Sequence, residues 1–173
     1  MNFKNIYNKA EFEHLYNITR QGFNVNKEIV SSQEVTQALM YVAQMLQKIA
    51  HSLSREKLED TLDTHFPGTH LYEADHYDIT TINSSLTSIN QHVDTFLRNN
   101  PNTLIGNVDG TIEAVIKYIS QVKEIDPSLS KNVEISISTF KVILNTFNNL
   151  IERVDTHNKN LDASYQSHSK IQY

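Results

Sequence analysis

The chain has 173 residues, a formal net charge of −5 at pH 7 and no cysteine. Such a length is typical of one domain and needs no disulfide to bury a core. The lack of cysteine excludes thiolate nucleophiles, cysteine zinc sites and iron–sulfur clusters. The negative charge and the scattered lysines and arginines disfavour a nucleic-acid partner. Only four glycines are present, which disfavours phosphate-binding loops and favours a helical chain.

Membrane segments are not predicted. The first ten residues show no basic stretch followed by an apolar core, and no apolar run approaches the roughly 20 residues that span a bilayer. We therefore expect a protein without a membrane span, located in the cytoplasm.

The first predicted helix covers Asn8–Gln21, and Phe23–Val30 follows as a connector without a clear apolar period. The second helix begins with a capping box, because Ser31 precedes Glu34 by three residues. It runs to about Leu53 with a single apolar stripe whose steps alternate between four and three residues. This stripe consists of Val35, Leu39, Val42, Leu46, Ile49 and Leu53.

Ser54 is predicted to cap a separate short helix, Arg55–His65, with acidic charge in its first turn. Pro67 and Gly68 then end this helix, since the residue before a proline disfavours the helical conformation. Thr69–Tyr77 is predicted to be a long irregular loop.

Two further helices are predicted in the middle of the chain. Asp78 caps the first, which ends at Asn99, and Asp109 caps the second, which runs from about Gly110 to Glu124. Asn102–Asp109 forms the loop between them. The two apolar stripes consist of Ile79, Ile82, Leu86, Ile89, Val93 and Phe96, and of Ile112, Val115, Ile119 and Val122.

The last predicted helix is the longest. Asp126 and Pro127 provide its cap and first residue, and Leu161 and Tyr165 extend its stripe. The alternating apolar residues 133–137 also fit a strand, but no second strand is available for pairing, so the helix is favoured. Its stripe consists of Val133, Ile137, Phe140, Leu144, Phe147, Ile151 and Val154.

Together these stripes predict an all-α fold, an antiparallel bundle of about four long amphipathic helices with one or two short ones. Residues 1–166 are predicted to form this single domain, and residues 167–173 a polar C-terminal tail. Stripes of coiled-coil spacing also permit pairing with a second copy, so the pattern leaves a homodimer open without predicting one.

One concentration of possible metal ligands lies around the predicted loop. Imidazole and carboxylate groups together suit zinc, iron or manganese, but these candidates are crowded on one predicted loop, and the chain has no His-Glu-x-x-His segment. A solvated polar loop is therefore favoured over a metal site, and no cofactor is predicted. The weak metal candidates are His65, His70, Asp75 and His76, with His51, Glu73 and Asp78 nearby.

Aromatic and apolar residues in the same loop could contact a protein partner. The alternative is that these side chains fold back and cover the core. The candidates are Phe66, Leu71, Tyr72 and Tyr77.

Residues 107–110 resemble the middle of a calcium loop, but Ile105 and Ile116 occupy two of the ligand positions, so a helix cap is favoured. No serine lies in a nucleophile-elbow motif. Three further histidines are expected to be surface or boundary side chains rather than bases: His14, His92 and His157.

These observations favour a non-enzymatic protein-interaction module, such as an inhibitor, adaptor or assembly factor, which acts through a helix face or the 66–77 loop. The alternative is a metal-binding bundle protein or enzyme that uses the loop histidines and carboxylates. A membrane-active helical protein is less favoured, because the polar faces are mostly uncharged rather than basic.

Overall fold

The computed structural model describes residues 23–65, 73–124 and 131–173; for residues 51, 52, 54–65, 73–82 and 131–136 it describes the backbone alone. Over these ranges the chain is helical and contains no strand, which confirms the predicted all-α bundle. The helices are α1 (Ser32–His65), α2 (Glu73–Asn99), α3 (Asp109–Lys123) and α4 (Lys131–Leu161). The predicted helix at residues 8–21 and the predicted start of the last helix at residues 126–127 lie outside the described residues.

The start of α1 agrees with the sequence. The Glu34 N–H donates to Ser31 Oγ at 3.2 Å, and Glu34 Oε2 accepts the Val30 N–H at 3.0 Å. The predicted capping box is therefore present with one difference: the Glu34 side chain accepts the N–H of Val30, where a standard capping box uses the N–H of the cap residue, Ser31. The connector before α1 is irregular as predicted, and it packs through Ile29, which is buried, and through the Phe23 ring, 5.6 Å from that of Tyr41.

Two predicted boundaries are wrong. α1 continues through Ser54 to His65, so Ser54 caps no separate helix. An interior serine costs only a few tenths of a kcal/mol, whereas a break would leave unpaired backbone groups at two new helix ends.

The start of α2 is the second wrong boundary. α2 begins at Glu73, so the second half of the predicted Thr69–Tyr77 loop is helical, and Asp78 is not the cap of α2. Acidic residues in the first turn favour this earlier start because they oppose the helix dipole.

The predicted apolar stripes form the core. Every stripe residue of α1 to α4 whose side chain is described is buried. α4 also buries Ile143 and Leu150, which makes its apolar face wider than the seam of a two-stranded coil. A face of this width suits a helix that packs on several neighbours within one bundle.

α1 is the central helix, since α2, α3 and α4 all pack against it, and α4 also packs against α2. α3 packs mainly on α1 and has little direct contact with α4. The space between α3 and α4 is filled by the residues that follow α4, which contact both helices. This packing corrects the predicted polar tail at residues 167–173, because His168 and Ile171 are buried there.

Candidate functional site

The chain turns sharply at the end of α4. The Asp162 side chain accepts the Ser164 N–H at 2.8 Å and the Ser164 hydroxyl at 2.7 Å, and the Asp162 N–H donates to the Asn158 carbonyl at 2.9 Å. The two bonds from Ser164 lower the pKa of the Asp162 carboxyl. This local turn ends the helix at Leu161 and directs residues 162–173, the closing segment, back along α4. The predicted extension of the helix to Tyr165 is therefore wrong.

Every third residue of the closing segment is buried. Tyr165, His168 and Ile171 face the bundle, while the two residues between each pair are exposed. A chain with three residues per turn, as in the polyproline II conformation, places every third side chain along a single face. The closing segment thus packs as an additional, extended element of the bundle.

Asp155 of α4 holds the middle of this segment with three hydrogen bonds. Its carboxylate accepts the His168 N–H at 2.9 Å, the Tyr165 hydroxyl at 3.1 Å and a bond of 2.6 Å from His168 Nδ1. The carboxylate is largely buried, and charge-assisted bonds of this kind are stronger than neutral ones. Asp155 therefore binds both the backbone and the side chain of His168.

The second ring nitrogen of His168 is also occupied. Nε2 lies 3.1 Å from the backbone nitrogen of Val108, at the start of α3. Because a backbone N–H can only donate, Nε2 must be the acceptor, and the proton of the neutral ring is on Nδ1, where it faces Asp155. The imidazole thereby connects the two helices, and neither nitrogen is open to a substrate.

Two asparagines of α4 bind backbone groups in pairs. Asn158 accepts the Ile105 N–H at 2.9 Å and donates to the Ile105 carbonyl at 3.0 Å. Asn148 donates to the Ile171 carbonyl at 2.7 Å and accepts the Ile171 N–H at 3.4 Å. The first pair fixes the loop before α3, and the second fixes the far part of the closing segment.

α3 supplies the opposite wall. Asp109, its first residue, accepts the Ser169 N–H at 3.0 Å. At the end of the segment, the Tyr173 ring lies 4.2 Å from Lys141 Nζ and 5.9 Å from Lys123 Nζ, both within the range of cation–π attraction. We define the α3–α4 groove by Val108 and Asp109 on one side and Asn148 and Asp155 on the other.

The repeats of the segment and of the helix match in length. Lys141, Asn148 and Asp155 follow one another at seven-residue intervals, which is about 10.5 Å along an α-helix. Three residues of extended chain span about 10 Å. The step from residue 168 to residue 171 therefore matches the step from Asp155 to Asn148. Tyr165 shares Asp155 with His168, and Tyr173, two residues after Ile171, meets Lys141.

The Tyr165 hydroxyl is buried beside a carboxylate. Burial raises the pKa of Tyr165 well above its usual value, and the nearby Asp155 charge acts in the same direction. The phenol thus remains a neutral donor to Asp155 throughout the physiological range. Burial also raises the pKa of Tyr173.

Asp155 and His168 resemble part of a catalytic triad, but their geometry favours a structural role. A general base needs a free nitrogen within reach of a substrate proton, whereas both nitrogens of His168 are bonded and its ring is buried. The adjacent cleft has a volume of about 170 Å³, below the roughly 300–1,000 Å³ of typical small-molecule sites. In this structure the pair holds the closing segment against α3 and α4.

The residues predicted from the sequence lie elsewhere. His65 ends α1, Asp75, His76 and Tyr77 lie in the first turns of α2, and His70 lies outside the described residues, as do Phe66, Leu71 and Tyr72. Among the residues that are described, no group of three histidines and carboxylates is placed to hold a metal ion. The metal and partner roles of these residues therefore stay predictions.

Other predicted roles can be compared with the structure. Asp109 is not the cap of α3, because Val108 occupies that position and Asn107 Oδ1 accepts the Asp109 N–H at 2.8 Å. His157 is a half-buried boundary residue, as expected, and its Nε2 lies 2.6 Å from the Thr103 carbonyl oxygen. His92 is half-buried too, and His14 lies outside the described residues.

Sequence reasoning missed the main residues of the groove. Asp155 and Asn158 stand next to or in line with the apolar stripe of α4, and a polar residue at such a position is a usable signal of a buried polar contact. The second signal is the Tyr-x-x-His-x-x-Ile spacing of residues 165–171. A search limited to helical and strand periods does not detect a period of three.

Comparison with known proteins adds no relative. No protein-family model, curated protein or solved structure matches the chain. Within the part of the chain that the structure describes, no helix combines the length and apolar character needed to cross a membrane.

Proposed function

We propose that this chain is a non-enzymatic protein-interaction module that binds an extended peptide in the α3–α4 groove. The closing segment occupies this groove within the same chain. The observation that carries the proposal is that groove side chains bind the backbone of the segment: Asp155 at residue 168, Asp109 at residue 169 and Asn148 at residue 171. Backbone N–H and C=O groups are present in any peptide.

The groove combines the two elements of extended-peptide recognition. Main-chain hydrogen bonds give affinity, and pockets for side chains at a regular spacing give specificity. Here the pockets accept an aromatic hydroxyl, an imidazole and a branched aliphatic side chain at every third residue. The sequence favours an interaction through a helix face. In this proposal that face is the row of α4 formed by Lys141, Asn148 and Asp155.

A labelled peptide tests the proposal. In the native chain the closing segment competes at an effective concentration in the millimolar range, so the groove must first be vacated. The full-length double variant His168→Ala, Ile171→Ala weakens the segment and leaves every groove side chain intact. We expect a fluorescein-labelled peptide of residues 162–173 to bind this variant saturably, as measured by fluorescence anisotropy.

Two controls define specific binding. A peptide of the same composition in scrambled order should bind at least about tenfold more weakly, and adding Asn148→Ala to the variant should weaken binding of the intact peptide about two- to fivefold. Circular dichroism confirms that the helices persist; should the double variant lose them, Ile171→Ala alone serves instead. Equal binding of the intact and scrambled peptides to a folded variant would contradict the proposal.

A further inference from the structure

The turn that connects the closing segment to α4 is exposed and held by local bonds. Ala163 and Ser164 are exposed, and the Ser164 and Tyr165 N–H groups both donate to Asp162. Water can replace hydrogen bonds at such a position, so opening the turn costs little. The turn therefore has the properties of a hinge.

The contacts beyond the turn do not depend on the connection. Asp155, Asp109 and Asn148 bind residues 168, 169 and 171, and the chain between Leu161 and Tyr165 supplies none of these bonds. The same contacts form if residues 165–173 come from another molecule. Exchange of an identical element between two copies reuses the contacts of the monomer, so the dimer requires no new interface.

The outer part of the segment is less enclosed than its middle. An open cavity of about 580 Å³ lies beside Ile171 and Tyr173, bordered by Lys141 and Asn148 of α4. Tyr173 is itself half-exposed. Release can thus begin at residues 171–173, before the buried His168 and Tyr165 leave their positions.

We propose that the closing segment exchanges between two copies of this chain, so that each segment lies in the α3–α4 groove of the other copy. This inference rests on the proposed function and names the partner. A second copy presents the tyrosine, histidine and isoleucine at the three-residue spacing that the groove holds. The intramolecular arrangement dominates at micromolar concentration, because the tethered segment competes at millimolar effective concentration.

Shortening the hinge tests the exchange. Ala163 and Ser164 are the two central residues of the turn that the Tyr165 N–H closes on the Asp162 carbonyl. Deleting both removes this turn, so the segment can no longer reach its own groove in register. We expect this full-length variant to form a dimer at micromolar concentration, with twice the native mass of 19.9 kDa in light scattering. Inserting two glycines between the same residues should leave the protein monomeric.

A second substitution shows which surface forms the dimer. Ile171→Asp in the shortened chain should weaken dimerisation by at least about a hundredfold, because it places a charge in an apolar pocket. A dimer that survives this change uses another surface and overturns the exchange. A folded shortened chain that remains monomeric overturns it as well; if that chain binds the labelled peptide, the proposed function stands, and if it does not, both fail.

A pair of full-length variants gives an independent measurement in case the shortened chain does not fold. Asp155→Asn impairs the groove and Ile171→Asp impairs the segment, so a mixture contains one intact segment and one intact groove on different chains. The mixture should form a one-to-one dimer while each variant alone stays monomeric. A mixture that remains monomeric at millimolar concentration overturns the exchange.

Discussion

Asn158 and Asn148 bind the backbone of an isoleucine with the same pair of hydrogen bonds, but their surroundings differ. Asn158 and Ile105 are fully buried, whereas Asn148 is half-buried and lies next to an open cavity. Buried bonds cannot be replaced by water without unfolding the structure around them, while bonds at the edge can be. The Asn158 pair is therefore a permanent part of the fold, and the Asn148 pair is a releasable contact.

The largest effect is expected at the buried pair. Asn158→Ala leaves the Ile105 N–H and carbonyl unpaired in the core and should lower the free energy of unfolding by about 3 kcal/mol. Urea unfolding followed by circular dichroism measures this change. Asn145→Ala, an exposed asparagine of the same helix, is the matched control and should change stability by less than about 0.5 kcal/mol. Equal effects at the two positions would show that the buried pair has no special role.

Asp155→Asn should have the next largest effect. The amide retains the shape but loses the charge, and its NH₂ group faces donors of Tyr165 and His168. We expect a loss of about 2 kcal/mol in the free energy of unfolding. The loss cannot exceed the free energy that docking of the closing segment contributes to stability. Once the segment has detached from the groove, the substitution has no further effect on the bundle. Glu152→Gln, an exposed change one turn away, provides the comparison.

Tyr165→Phe should give a smaller change that depends on pH. At pH 7 the variant loses one hydrogen bond to Asp155, or about 1 kcal/mol. The pKa of Tyr165 is raised in the folded state, so its stabilising effect is complete below about pH 10 and falls as the pH rises above that value, where the unfolded chain ionises first. The difference between native protein and variant should therefore narrow between pH 10 and 11 in urea titrations. A difference that widens over this range would contradict the buried position of the phenol.

Asn148→Ala should change global stability least, by about 0.5–1 kcal/mol, since water can bind the Ile171 backbone in its place. Its effect should be local. Amide protons of the closing segment should exchange with solvent about two- to fivefold faster, while those of α1 keep their rates, as measured by hydrogen exchange. Uniform acceleration across the bundle would mean that this contact cannot be released separately.

The sequence predicts the helical bundle well because the same pattern of apolar residues is repeated along each helix. Each stripe contributes several apolar residues at steps of three and four, and burial of such a row stabilises a helix more than its local caps do. Boundaries are less predictable for the same reason, since packing carries α1 through Ser54 and starts α2 five residues before Asp78. A cap signal identifies a position where a helix can begin, and tertiary contacts decide whether it does.

The groove was not predictable by the same means. Its two walls come from separate parts of the chain, and bonds such as that between Asp109 and Ser169 connect positions far apart in sequence. Single residues so far apart in the chain form no repeating local pattern from which their contact could be predicted. Ser, Gln and Lys separate the buried residues of the closing segment, so its composition predicts a polar tail. Only the position of α3 beside α4 gives its three-residue repeat a surface to pack on.

Native-state hydrogen exchange at the amides of Ile105 and Ile171 tests the central claim most directly. Both N–H groups donate to the side-chain oxygen of an asparagine of α4, so the measurement compares two hydrogen bonds of the same kind. We expect the Ile105 amide to exchange only through global unfolding, and the Ile171 amide to exchange through a smaller opening that costs less free energy and responds weakly to urea. Equal opening free energies with equal urea dependence would show that the closing segment is a fixed part of the core, and the groove would then hold no releasable ligand.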